Sequence, residues 1–405
     1  MKPIVRAGRM KPVHSDIRGP LFVEAMKRQK QGIDILKLNT GNPATFGFGL
    51  PDSIKNALIE HMQDGVGYCD FKGMPQARQA ICDYETSKGI KGITSDDVFI
   101  GNGVSEVVSF ALTPLLNDGD EVLVPSPSYS LWGNSVYLED GKPVFYTCDE
   151  QANWYPDIKD IRSKITDKTK AIVIINPNNP TGVLYPKELL LEIIQIARES
   201  GLLIFADEIY DRLVMDGKQH ISLASLTEDV PVITLNGLSK SHCLCGYRCG
   251  WMLISGPREL TEDYRQGIIQ LTSLRLCANT MAQIVIPAAL DDMETPASMV
   301  RPGGRIYEQR EATVRELEKI DGLSFVKNDA AFYVFPKLDV KKFNITNDKQ
   351  FAHDLLDATN ILLVPGSGFD WKDPDHFRIV MLPQADILSD AIRRMGTFLD
   401  GYKQK

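Results

Sequence analysis

Between Asn236 and Trp251 the chain reads NGLSKSHCLCGYRCGW, which gathers one lysine, one histidine, one arginine and three cysteines. Two chemistries compete for this stretch. Cys243, Cys245, Cys249 and His242 offer three sulfurs and a nitrogen to a metal ion. Lys240 and Arg248 offer instead an amine nucleophile and a planar cation suited to phosphate or carboxylate. Structural zinc sites pair their ligands at two-residue gaps and place a second pair farther along the chain. The cysteines here are separated by one and then three residues, with no second pair, so no metal is expected. They read as small apolar packing residues, with Cys243 and Cys245 the ones to watch for oxidation. His14, His61, His220, His353 and His376 are scattered without ligand spacing. His376 stands two before Arg378 and would share its face of a strand, where it reads as structural.

Other polar stretches occupy equivalent places. GNGVSE follows the apolar run Val98–Ile100, NPNNPTG follows Ala171–Ile175, DEIYD closes Leu202–Ala206, and NGLSK follows Val232–Leu235. Taken singly each has a plain explanation: Asp207 as a helix cap, NPNNPTG as a turn, GNGVSE as a helix start, Lys240 as a solvated lysine. Ligands of parallel α/β sheets, however, bind beyond the carboxyl ends of the strands. Four such ends delivering Gly, Asn, Asp, Tyr, Ser and Lys define one candidate pocket.

The elements that would carry these residues are legible. KAIVII reads as a buried strand, and YPKELLLEIIQIARESG as a helix. Pro186 suits its first turn, Leu189, Leu190, Ile193, Ile194 and Ala197 share one face, and Gly201 suits the position past its end. LLIFADEIYD is the next strand of this β-α-β unit. Glu121–Val124 and Trp251–Ile254 read as further strands, and a helix is expected from Val104. Beyond about residue 300 the texture changes: GGRIYEQREATVRELEKI looks like a polar-faced helix and GLSFVKNDAAFYVFPKL like paired strands. The fold class is therefore α/β. A large domain, 46–295, holds a mostly parallel sheet wrapped by helices. A smaller α+β domain is built from 1–45, with an N-terminal arm, and 296–405.

Composition narrows the function. The net charge of −8, without a basic block, argues against nucleic acid as a partner. The N-terminus lacks an apolar signal segment, and runs such as AIVII and LLIFA are far too short to span a bilayer. Seven cysteines spread over 405 residues suit a reducing cytoplasm better than a disulfide framework. No G-x-G-x-x-G follows a first strand, which disfavours a nicotinamide dehydrogenase.

With NPNNPTG, DEIYD, LSKSHCLCGYRCGW and FRIVMLP in this order, the chain resembles the fold-type I, class I/II aminotransferases that use pyridoxal 5'-phosphate. DIRGP, LNTGNPATFGF, GYCDFKG and LRLCAN carry a narrower likeness to the bacterial glutamate–pyruvate (alanine) branch. The resemblance implies that Lys240 forms a Schiff base with the cofactor and shuttles the substrate proton. It assigns Asp207 to the ring nitrogen, Asn179 and Tyr210 to the phenolic oxygen, and Tyr129 to the ring face, with Trp132 the less favoured stacker. The N–H groups of Gly103, Val104 and Ser105, together with Ser239 and Arg248, would hold the phosphate. Tyr68 of a neighbouring subunit would join them in a homodimer with shared sites. Gly41, Asn179 and Arg378 would bind the substrate, with Arg378 clamping its carboxylate and Arg18 a candidate for a second one. Gly246 would let the turn between Lys240 and Arg248 bend.

The function so implied is exchange of an amino group between L-alanine, or a similar small neutral amino acid, and 2-oxoglutarate, with ping-pong kinetics. A C–S lyase, or a transaminase with branched or aromatic donors, is the alternative. A transcription regulator built on this fold would need a DNA-binding module before LNTGNP, for which no room is seen. Two positions depart from the family pattern. Gly237 stands where many members carry a hydroxyl, and Ser15 where a tyrosine is expected before DIRGP.

Overall fold

A computed structural model describes residues 2–405. The apolar runs form one eight-stranded sheet from β1 (Val98–Asn102), β2 (Glu121–Ser126), β3 (Lys142–Asp149), β4 (Tyr155–Pro156), β5 (Thr169–Ile175), β6 (Leu203–Asp207), β7 (Val232–Gly237) and β8 (Cys249–Ser255). Their order is β1-β8-β7-β6-β5-β2-β3-β4. The pairs from β7 through β6, β5 and β2 to β3 are parallel, while β8 runs antiparallel to both β1 and β7. The carboxyl ends of β1, β2, β5, β6 and β7 therefore share one edge with the amino end of β8.

The strands are apolar throughout because both faces are covered. Along β5, Ile172 and Ile174 enter one core cluster, and Ala171, Val173 and Ile175 the cluster on the other face. Alternation of Cβ directions dictates this split. The helices α1 (Pro75–Ser87), α2 (Val104–Leu112), α3 (Leu131–Leu138), α4 (Lys187–Ser200) and α5 (Arg258–Arg275) follow in chain order. Helix α4 buries Leu190, Ile193, Ile194 and Ala197 as its spacing predicts, and Ile196 as well. Pro186 is its N-cap rather than its first turn, and Gly201 closes it at φ 65° in the left-handed region. Strand β1 extends past Ile100 to Asn102, so GN of GNGVSE belongs to the ladder and Gly103 caps α2.

A further core gathers Leu38, Leu317, Phe351, Leu355, Phe377, Ile379, Leu388 and Ile392. It is framed by α6 (Arg305–Leu317), α7 (Asp348–Thr359) and α8 (Ala385–Asp400) and by β9 (Tyr333–Val334), β10 (Val364–Pro365) and β11 (Phe377–Val380), in sheet order β9-β11-β10. The pairing expected within GLSFVKNDAAFYVFPKL is present, and a longer-range pairing joins it. Leu323–Ser324 does pair with Lys337–Leu338, but β9 pairs with the distant β11. The N-terminal segment joins this part: Leu36–Lys37 lies parallel to Ile361–Leu362, and the Leu38 carbonyl accepts from the Val380 N–H at 3.0 Å. Among the described residues no single helix is long and apolar enough to cross a membrane.

Candidate active site

Lys240 lies in a one-turn helix directly after β7, where its amine donates to the Gly41 carbonyl at 2.9 Å. The thiol of Cys245 is 3.9 Å from the amine, and the ring of Phe332 is 5.9 Å away. No carboxylate neutralises it among the described residues. Burial pushes the ammonium pKa down, but the phenols of Tyr333 and Tyr129 and the Cys245 thiol outweigh burial and leave it raised. Desolvation alone therefore does not poise this amine.

Asp207 ends β6 on the same edge and is 6% exposed. Its Oδ2 accepts from the Trp132 indole at 3.0 Å and its Oδ1 from the Ile209 N–H at 3.4 Å. Among the described residues it has no Lys, Arg or His partner, and burial raises its pKa to about 6. Trp132, expected at most as a ring stacker, is wholly buried and turns its N–H onto this carboxylate instead. Tyr129, three residues earlier, is 38% exposed.

Arg248 precedes β8, at the edge where Cys249 pairs with Asn102. A Cβ on Gly103 would strike its guanidinium, so glycine is what lets the cation sit at the start of α2. Arg248 donates to the Cys245 carbonyl at 3.1 Å and has no acidic partner. The Gly103 N–H is already engaged by the Gly101 carbonyl at 2.8 Å. This leaves the first-turn N–H groups of Val104 and Ser105, which have no intrahelical acceptor. The hydroxyls of exposed Ser105 and half-buried Ser239 stand nearby in sequence. Glu106 in the same turn would repel an anion, but Arg275 pairs with it at 2.5 Å. Gly237 also acquires a reason. It faces Gly250 across the β7–β8 ladder, and a Cβ on it would lie 2.5 Å from the Cys249 carbonyl. A hydroxyl residue cannot enter there without parting these strands.

Arg378 arrives from β11, 1% exposed, its guanidinium 4.6 Å from both the Tyr333 and Phe369 rings. It donates to Asn179 Oδ1 at 2.9 Å and to the Asn39 carbonyl, and its Nε is unpartnered. Among the described residues no carboxylate balances it, and burial pulls its pKa below the usual range. The Tyr333 hydroxyl lies 2.9 Å from that of Tyr210, and a Cβ on Gly41 would run into it. Lys240, Gly41, Tyr210, Tyr333, Asn179 and Arg378 thus form one connected set. Tyr333 and Phe369 gave no sequence signal, since each sits in an ordinary apolar or polar run, and Asn39 lies in the LNTGNP motif but was not singled out there.

Other expected residues lie apart. Tyr68 is 83% exposed, and Arg18 and Ser15 are exposed without recorded hydrogen-bond partners. Gly246 is exposed, with open space beside its Cα. His376 is buried between Asp375 and Glu150 and stacks on Phe335 at 4.8 Å, a structural place. The cysteines diverge: Cys243 contacts Met299 at 3.9 Å, Cys249 donates to the Ala282 carbonyl at 3.3 Å, and burial pushes the Cys243 thiol up to about 12. Glu208, Asp211 and His220 cluster with metal-like spacing that sequence reading missed. The Lys88 ammonium already sits among the acids, 2.7 Å from Glu208, 3.1 Å from Asp211 and 2.9 Å from Glu85.

Residues 33–392 match the model of the family "Aminotransferase class I and II". A glutamate-pyruvate aminotransferase AlaA of Haemophilus influenzae is 50% identical over 404 residues, covering 100% of both chains. The crystal structure of an Escherichia coli aminotransferase superposes with a TM-score of 0.98 at 47% identity, over 100% of both chains. An alanine aminotransferase from Pyrococcus furiosus gives a TM-score of 0.93 at 40% identity, covering 98% of this chain and 100% of that one.

Proposed function

Because the chain belongs to the class I and II aminotransferases, we propose that it exchanges an amino group between glutamate and pyruvate, forming alanine and 2-oxoglutarate, with pyridoxal phosphate as cofactor. The observation that carries this reading is the charge imbalance around Lys240. Among the described residues the buried Asp207 has no cationic partner, and buried Arg378 and exposed Arg248 have no acidic one. Pyridoxal phosphate fits those demands: a protonated ring nitrogen for Asp207, a phosphate for Arg248 and the α2 N-terminus, an aldehyde for Lys240. The substrate carboxylate answers Arg378.

When bound, the cofactor supplies an aldehyde carbon and a ring that accepts the electrons left at a deprotonated substrate Cα. The protein does the rest. Arg378 grips the carboxylate with a planar fork, oriented by Asn179 and the Asn39 carbonyl. Tyr333 and Phe369 wall the guanidinium from water, which strengthens its hold on an anion. Lys240 would take the substrate Cα proton, so its amine must work unprotonated. Asp207 holds a proton on the ring nitrogen. Tyr210, aligned by Tyr333, and Asn179 donate to the phenolic oxygen, and Tyr129 covers the ring face.

We assign the cofactor to the part comprising 46–295, and Gly41 and Arg378 to the part built from 1–45 and 296–405. Tyr68 completes the phosphate site of a second copy in a homodimer. Mixing inactive Lys240→Ala and Tyr68→Phe subunits should then restore some intact sites; no gain over the separate variants would contradict this. The direct test of function is conversion of glutamate and pyruvate by the purified, cofactor-supplemented protein, with parallel double-reciprocal lines. Failure with pyruvate while another oxo acid reacts well would overturn the substrate assignment. Pyruvate and ammonia released from a cysteine conjugate without an acceptor would show a lyase instead.

A further inference from the structure

We propose that Trp132 is a positioning residue of this reaction, its indole N–H orienting the Asp207 carboxylate and keeping it ionised. The proposal rests on the reading of Asp207 as partner of the cofactor ring nitrogen. Phe205 and Asp207 are two apart on β6, so their side chains leave the same face of the sheet. Trp132, in the first turn of α3, fills the space over that face, with its ring centroid 5.3 Å from that of Phe205. This contact fixes the indole so that Nε1 meets Asp207 Oδ2 at 3.0 Å. Both residues are buried, at 0% and 6% exposure, so water does not substitute readily for either partner.

The donor matters because nothing else nearby stabilises the charge. Asp207 has no cationic partner, and its other hydrogen bond, from the Ile209 N–H, is long at 3.4 Å. Its neighbour Glu208 adds repulsion, and burial already brings its titration up to about 6. An indole N–H can only donate, so it favours the carboxylate over the acid at every pH. A protonated Asp207 could not pair with a positively charged ring nitrogen. The indole also occupies Oδ2, leaving Oδ1 with acceptor capacity for that nitrogen.

The test uses the cofactor-free protein and does not depend on turnover. Aspartate labelled with ¹³C at the carboxyl carbon reports the midpoint of Asp207, its signal assigned by its loss in Asp207→Asn. A midpoint near 6 is expected in the native protein, and one higher by about one pH unit or more in Trp132→Phe. An unchanged midpoint in a folded Trp132→Phe overturns the proposal. A second reading needs no variant: of the four indole N–H resonances, that of Trp132 should titrate with the Asp207 midpoint. A Trp132 resonance flat across that range overturns it too. If instead the native protein neither binds pyridoxal phosphate nor transaminates, the functional reading fails while both titrations still decide the Trp132–Asp207 pair.

Discussion

Replacing Arg378 with methionine separates binding from stability. The wild-type guanidinium is buried with no carboxylate, a cost of several kcal/mol that a substrate carboxylate relieves on binding. In Arg378→Met the fork is gone. Two charge-assisted hydrogen bonds at about 1.5–3 kcal/mol each amount to about 3–6 kcal/mol. At about 1.4 kcal/mol per decade, kcat/KM should fall about 10²–10⁴-fold. Stability should move far less, because opposing terms nearly cancel. The Asn39 carbonyl and Asn179 Oδ1 lose a donor, at about 1–3 kcal/mol each, and two ring contacts go, at about 0.5–2 kcal/mol each. Against this, an unpaired buried cation is removed. Thermal unfolding of the loaded enzyme should therefore shift by only a few degrees. Wild type should gain about 2.7 kcal/mol from a non-reacting carboxylate ligand at a hundred times its Kd, and the variant essentially none. A variant that keeps kcat/KM within about threefold would refute the carboxylate role.

Asp207 gives a pH prediction with a definite sign. Its folded-state pKa, about 6, lies above the ordinary aspartate value of 3.8, so the fold binds the extra proton between those values. Stability of the cofactor-free protein is therefore lost as pH rises through that window, by about 3 kcal/mol once both states are ionised. Asp207→Asn should be more stable than wild type by about that amount at pH 8, with the gap closing toward pH 4. Denaturant titrations showing no pH dependence in the difference would contradict this. Gly237→Ser should not improve phosphate binding, because its Cβ would sit 2.5 Å from the Cys249 carbonyl. Overpacking of this kind costs about 1–3 kcal/mol, read as a lower unfolding midpoint; an unchanged midpoint with tighter cofactor retention would show the strands can part.

Six of the eight strands were legible because they are continuous apolar runs closed by turn residues, whereas β3 and β4, at the edge of the sheet and with polar residues interleaved, were not read. Lys240 and Asp207 lie at the carboxyl ends of β7 and β6 on one sheet edge, and Arg248 stands just before the antiparallel β8 on that edge. What escaped depends on long-range contacts. Tyr333 reaches the site only because β9 pairs with β11, a partner over 40 residues away that the paired-strand reading of 323–338 missed. Asn39 acts through a backbone carbonyl, and Trp132 through one N–H whose direction is set by Phe205. Gly237 looked anomalous in one dimension and follows from Gly250 across the ladder in three.

The central claim is that Lys240 is the amine that engages the cofactor. Borohydride treatment of the pyridoxal-phosphate-loaded protein, followed by peptide mapping, tests it directly. Irreversible loss of activity and a single added cofactor mass on Lys240, absent in Lys240→Ala, are expected. A colourless protein with no modified lysine, or the mass found on another residue, would contradict it.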